Sequence, residues 1–195
     1  MVQHWCRLAC RIVGLRRNIT GTAAPEARFL VANHVSWLDI VALAAERPCL
    51  FLAKAEVANW PVIGALARGI DTLFVRRGEA GQTAAVAERM LWQLRRGRCV
   101  LLFPEGTTTA GDRLLRFHSK LFEPAERAGA VVQPIALSYT GVARDVAPFI
   151  GEDEFLPHLL QVLRRDRIEL DLAYCPPLPA DQPRAALAAA RSGSA

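Results

Sequence analysis

Short apolar runs alternate with amphipathic stretches along this chain, and the alternation predicts strands separated by helices. Residues 4–16 place Trp5, Leu8, Ile12 and Leu15 at helical spacing with Arg7 and Arg11 on another face. That is the pattern of an amphipathic helix, lying either on a membrane surface or on its own core. Phe29-Leu30-Val31-Ala32 is a continuous apolar run too short for a stable helix and reads as a buried strand. Ser36, with Asp39 three residues on and Ile40, Val41 and Leu43 following, has the signature of a capped helix start. Cys49-Leu50-Phe51-Leu52 predicts a second strand, residues 57–68 a short apolar helix opening near Pro61, and Thr72-Leu73-Phe74-Val75 a third strand ending at Arg76-Arg77-Gly78. Between Gly81 and Gly97 Val86, Met90, Leu91 and Leu94 face one way, basic residues fill the last turn, and Gly97 ends the helix. Residues 99–103 form a fourth strand closed by Pro104, and residues 131–137 a fifth. In residues 167–174 Ile168, Leu170 and Leu172 alternate with Glu169 and Asp171, the pattern of a half-exposed edge strand.

Strands that alternate with helices predict an α/β fold: a single domain with a mostly parallel mixed sheet flanked by helices and ligand sites at strand ends. We expect an N-terminal amphipathic helix over 1–20, the main domain over 21–176 and a Pro/Ala-rich tail or helix over 177–195. The 195 residues, 52% hydrophobic and 22% charged, suffice for one well-buried core. Five cysteines, an odd number without C-x-x-C spacing, read as reduced thiols. No stretch approaches the roughly 20 uninterrupted apolar residues that span a bilayer. The formal charge of +5 suits anionic partners, and Lys54 and Lys120 are the only lysines among many arginines.

The candidate chemistry sits at strand ends. His34 follows the first buried strand and Asp39 comes five residues later. Positions five apart in a helix are offset by about 140°, so the two meet only if the helix begins between them, and the cap at Ser36 supplies that break. Asp39 can then accept the imidazole Nδ1–H and leave Nε2 as a base; alternatively it only completes the cap. Glu105 projects from a turn after Phe103-Pro104, where Gly106 permits a tight bend and Thr107 and Thr108 supply hydroxyls. Pro-Glu-Gly is also an ordinary surface turn. Lys54, Arg76 and Arg77 sit at two further strand ends, as basic residues of one rim or of a solvated face. No paired metal-ligand spacing occurs, and no basic segment interleaved with aromatics points to nucleic acid.

Asn33-His34-x4-Asp39, then Lys54, Phe74-Val75-Arg76-Arg77, Phe103-Pro104-Glu105-Gly106-Thr107 and Val132-Gln133-Pro134-Ile135 resemble, in order and spacing, the four blocks of the glycerolipid acyltransferase family. That family includes the lysophosphatidic acid acyltransferases. The resemblance covers residues 25 to 140, and a weaker similarity continues through Phe155-Leu156-Pro157-His158. It implies transfer of a fatty acyl group from acyl-CoA or acyl-carrier protein, as co-substrate, to the hydroxyl of a lysolipid. It assigns His34 as general base and Asp39 as its partner. Glu105, Gly106, Thr107, Lys54 and Arg77 fall to the acceptor, and Pro134 and Ile135 to the thioester region.

The resemblance points first to a 1-acylglycerol-3-phosphate acceptor. Thr108 stands where many phosphate-acceptor members carry arginine, and Asp71 where a glycine is common. Residues 103–117, with Gly111, Arg113 and Phe117, look more like members that acylate lyso-ornithine lipid, the alternative acceptor; a non-catalytic lipid-binding relative is the other alternative. An apolar substrate implies work at a membrane surface, on its cytoplasmic face, with the segment near Trp5 and that around Trp60-Pro61-Val62-Ile63 as contacts.

Overall fold

The computed structural model describes residues 2–59, 64, 69, 72–75 and 82–179. The chain begins with α1 (Val2–Ile12) and β1 (Leu15–Thr20), followed by β2 (Phe29–Ala32), α2 (Trp37–Glu46) and β3 (Leu50–Lys54). A 3₁₀ turn (Ala55–Asn59), β4 (Leu73–Val75), α3 (Gln82–Arg95) and β5 (Val100–Leu102) come next. A second 3₁₀ turn (Ser119–Phe122) leads into α4 (Glu123–Ala128), β6 (Val132–Thr140), the short α5 (Ala143–Val146), α6 (Phe155–Leu163) and β7 (Ile168–Tyr174). The seven strands lie in the order β1-β7-β6-β2-β5-β3-β4. Only β6 and β7 pair antiparallel, so the sheet is mixed and mostly parallel, as the alternation of elements predicts.

The central strands are apolar on both faces because helices cover both. Leu30, Ala32, Phe51, Leu101, Ile135 and Leu137 point into one core with α1, α2 and α6. Phe29, Val31, Leu50, Val100, Leu102 and Val132 point into the other with α3 and α4. Each run is continuous in sequence yet keeps the two-residue alternation in space. Burying a side chain such as Phe29, which is wholly inaccessible, stabilises the fold by about 1.5–3 kcal/mol.

Two expectations are corrected. The helix expected over 1–20 ends at Ile12, and Leu15–Thr20 is a strand that runs parallel to β7 from Leu15↔Ile168 to Thr20↔Ala173. Residues 167–174 alternate as expected, but β1 takes the edge and β7 lies inside it. β1 buries only Leu15; it is held by backbone pairing to its neighbour rather than by an apolar face, so its own pattern carries no strand signal. At the C-terminal end, Leu178 still bridges Val132, and residues 180–195 lie outside the described residues.

α1 also docks the opposite way from its apolar stripe. Its Gln3 side chain donates to the Glu46 carbonyl at 2.7 Å and Arg7 Nε to the Ala45 carbonyl at 3.0 Å, satisfying the last carbonyls of α2. Arg17 pairs with Glu46 at 2.6 Å beside them, and Cys6 and Cys10 turn inward. Trp5, Leu8 and Ile12 are left 63%, 42% and 65% exposed. All five cysteines are free thiols. Among the described residues no helix is long and apolar enough to cross a membrane.

Candidate active site

The C-terminal ends of β2, β5 and β6 meet at one place, and the segment between β2 and α2 runs through it. Asn33 extends the β2–β6 ladder by one step with its side chain: Nδ2 donates to the Leu137 carbonyl at 2.9 Å, and Leu137 N–H donates back to Oδ1 at 2.7 Å. The chain is thus anchored to the sheet one residue before His34. α2 opens at Trp37, placing His34 in the loop and Asp39 in the first turn. His34 Nδ1 lies 2.9 Å from Asp39 Oδ2, the contact the cap was expected to permit.

Asp39 is wholly buried and fully engaged. Oδ2 also accepts the N–H groups of Val35 at 2.7 Å and Ser36 at 2.9 Å, and Oδ1 accepts the Tyr139 hydroxyl at 2.7 Å. With the Asp39 oxygens accepting from all sides, the imidazole presents Nδ1–H to Oδ2 and carries its lone pair on Nε2. Among the described residues Nε2 has no hydrogen-bond partner. The His34 ring stacks on Phe103, with centroids 4.0 Å apart and planes 14° from parallel, and its side chain is 17% exposed. Capping of α2 and orientation of the His34 ring are therefore one arrangement: Asp39 does both.

Glu105 lies beneath this loop, only 4% exposed. Oε1 accepts the His34 backbone N–H at 3.0 Å and Oε2 the Leu115 N–H at 2.9 Å. Burial pushes its carboxyl above the ordinary glutamate range, and the two N–H bonds and His34 offset part of that rise. Its carboxylate thus clamps the histidine loop to the segment after β5. Gly106 takes φ +69°, a left-handed turn that a side chain would strain, and its N–H is committed to the Phe103 carbonyl at 3.1 Å. Thr107 is exposed beside it. The Thr108 hydroxyl donates to the Phe149 carbonyl, and Thr109 N–H to the His34 carbonyl at 2.9 Å.

Other expected site residues fall elsewhere. Pro134 and Ile135 are buried within β6 opposite Val31 and Ala32, so they support the strand that leads to His34 and do not line its opening. Gln133 in the same block knits the approach to β2, accepting Ala24 N–H at 2.9 Å and donating to the Thr22 and Cys175 carbonyls at 2.8 and 3.1 Å. Lys54 ends β3 opposite Val75, but its side chain lies outside the described residues, as do Arg76, Arg77, Asp71 and the segment at Trp60–Ile63. An open hollow of about 670 Å³, lined in part by Arg28, Arg47 and Tyr174, lies at the opposite end of the parallel strands, away from His34. Among the described residues no three metal-ligating side chains cluster.

Tyr139 is the site residue that sequence reasoning missed. Ile135, Leu137 and Tyr139 face the core that contains α2, so a hydroxyl two residues beyond Leu137 points at the start of that helix. Ending the predicted strand at 137 hid this signal. Burial, with the Asp39 charge adding to it, pushes the Tyr139 phenol well above its ordinary range.

A histidine–carboxylate pair at the strand ends of a mostly parallel sheet marks a candidate proton-transfer site in an α/β protein. The sequence model of the acyltransferase family matches residues 16–138. The chain is 43% identical over 181 residues to a lyso-ornithine lipid O-acyltransferase from Pseudomonas aeruginosa, covering 92% of this chain and 70% of that protein. It is 38% identical over 132 residues to a 1-acyl-sn-glycerol-3-phosphate acyltransferase from Neisseria gonorrhoeae, covering 68% of this chain and 52% of that one. The crystal structure of the 1-acyl-sn-glycerophosphate acyltransferase PlsC from Thermotoga maritima shares the fold, with a TM-score of 0.73 at 18% identity over 99% of this chain and 76% of that one. The chain belongs to the acyltransferase family. It spans 64% to 70% of the length of the lyso-ornithine lipid relatives it matches.

Proposed function

We propose that this protein transfers a fatty acyl group from acyl-CoA or acyl-carrier protein to the hydroxyl of a lysolipid, with lyso-ornithine lipid as the acceptor. The observation that carries the reading is the His34–Asp39 pair, with Nδ1 held at 2.9 Å by a buried carboxylate and Nε2 without a partner among the described residues. Neutral Nε2 takes the acceptor's hydroxyl proton as its oxygen attacks the thioester carbonyl. The tetrahedral intermediate then collapses with cleavage of the C–S bond, the thiolate leaves with the proton from the imidazolium, and neutral His34 is restored. Asp39 stabilises the imidazolium between these steps. No acyl-enzyme forms.

The acceptor assignment draws on the relatives: lyso-ornithine lipid enzymes match at 36% to 43% identity across 88% to 92% of this chain. Thr108 supports it too, because its hydroxyl is turned to the Phe149 carbonyl where a phosphate-binding arginine would stand in many relatives. An acceptor panel with both donors tests the assignment. Lyso-ornithine lipid is expected to turn over fastest; faster turnover of 1-acylglycerol-3-phosphate would move the assignment to that acceptor.

The exposed stripe of Trp5, Leu8 and Ile12, with Arg11 and Arg16 also exposed nearby, supports docking on an anionic membrane surface at its cytoplasmic face. Trp5→Glu with Ile12→Glu is expected to release the protein from vesicles containing phosphatidylglycerol in a flotation assay. Undiminished flotation would exclude α1 as the contact.

A further inference from the structure

We infer that Tyr139 is a positioning residue for the reaction: its hydroxyl holds the outer oxygen of Asp39 so that the other oxygen faces His34. The inference rests on the reading of His34 as the base. Three of the four donors to Asp39 come from His34, Val35 and Ser36, residues of the same turn. They bind a single oxygen, Oδ2, and any helix start with this cap would supply most of them. Tyr139 is the donor that arrives from another element, β6, at 2.7 Å from Oδ1.

Its distant origin gives Tyr139 a distinct task. Bonds within residues 34–39 fix Asp39 relative to its own turn but do not fix that turn relative to the sheet. β6 grips the turn twice, at Asn33 through the Leu137 backbone and at Asp39 through the Tyr139 hydroxyl. The two grips lie on either side of His34 in the chain. With both in place the imidazole is held against Phe103 with its Nδ1–H on Oδ2, which directs Nε2 away from the carboxylate. Tyr139 is only 4% exposed and keeps its proton at working pH, so it serves as a constant donor and takes no part in proton transfer.

Sharing the Asp39 charge with a phenol also lowers the pull of that carboxylate on the imidazolium proton. Because it removes one of the two grips of β6 on the turn, Tyr139→Phe is expected to lower kcat by about 10- to 100-fold, less than loss of the base itself, with little change in KM. The acid limb of its kcat/KM profile should move to higher pH. Combining it with Asp39→Asn should add little beyond Asp39→Asn alone, because both act through one carboxylate.

A second substitution keeps the packing intact. The chain has two tyrosines, Tyr139 and Tyr174, so 3-fluorotyrosine incorporated in a Tyr174→Phe background reports on position 139 alone. The fluorinated phenol is a stronger donor of the same shape, and the acid limb should then move to lower pH. An acid limb unmoved by either change, or losses that multiply in the double variant, would overturn the inference even if Tyr139→Phe is poorly folded. If His34→Ala itself leaves turnover intact, the reading of the base fails; if His34→Ala abolishes turnover and position 139 moves nothing, only the positioning role fails.

Discussion

His34 and His158 both reach the start of α2, one from the loop before it and one from α6, and their ring nitrogens are used differently. His158 Nδ1 accepts the Trp37 indole N–H at 3.1 Å, and Nε2 donates to the Pro148 carbonyl at 3.0 Å. Both nitrogens are spent, the tautomer is set, and the ring is only 5% exposed between Trp37 and Phe149. Among the described residues His34 spends only Nδ1, on a carboxylate, and its side chain is 17% exposed. One histidine ties two segments together, and the other keeps the nitrogen that the proposed reaction uses to take a proton. Burial and residue type alone do not distinguish such residues; the partner of each nitrogen does.

The comparison breaks most sharply at His34. His34→Ala should lower kcat by about 10²–10⁴-fold while the fold survives, read as turnover with a thermal melt beside it; turnover within a fewfold of wild type would remove it as the base. The next largest effect is expected at His158 and is of the opposite kind. His158→Phe leaves the Trp37 N–H and the Pro148 carbonyl without partners and should cost about 1–3 kcal/mol in denaturant unfolding, with kcat close to wild type. A loss of kcat without a loss of stability there would collapse the distinction between the two rings.

Glu105 sharpens it in a subtler way. Glu105→Gln turns an amide N–H₂ toward one of the two backbone donors it now accepts, which should cost about 1–3 kcal/mol and loosen the His34 loop. Because burial raises the folded-state pKa, the stability tied to this titration is full below the ordinary glutamate range and is lost as pH rises through the raised value. The variant lacks that slope, so its deficit against wild type should shrink between acid and neutral pH in unfolding curves. A deficit that grows over that range would mean that the two N–H bonds, rather than burial, set the titration.

Much of the fold is legible in short windows. Phe29–Ala32 and Val100–Leu102 are strands buried on both faces, and a continuous apolar run bounded by turn residues reports that directly. Spacing likewise placed His34 outside the helix and Asp39 inside it. At the N-terminus the spacing left two docking modes open: the apolar stripe at Trp5, Leu8 and Ile12 is the face α1 turns outward, while its inward face is secured by Gln3, Arg7 and two cysteines. Amphipathic spacing tells that a helix has two faces and not which one meets the core.

By itself the sequence determined the alternation of strands and helices and the break between His34 and Asp39, which depend on residues within a few positions of one another, and the blocks that mark the family, which are short segments recognised by their order along the chain. Only the tertiary structure decided that β1 covers β7, that Glu105 clamps the backbone of His34, that Phe103 stacks beneath its ring, and that Tyr139 reaches Asp39 from 100 residues away. Those contacts depend on which strands become neighbours. Strand order is settled by packing of the whole sheet, so no local pattern records it.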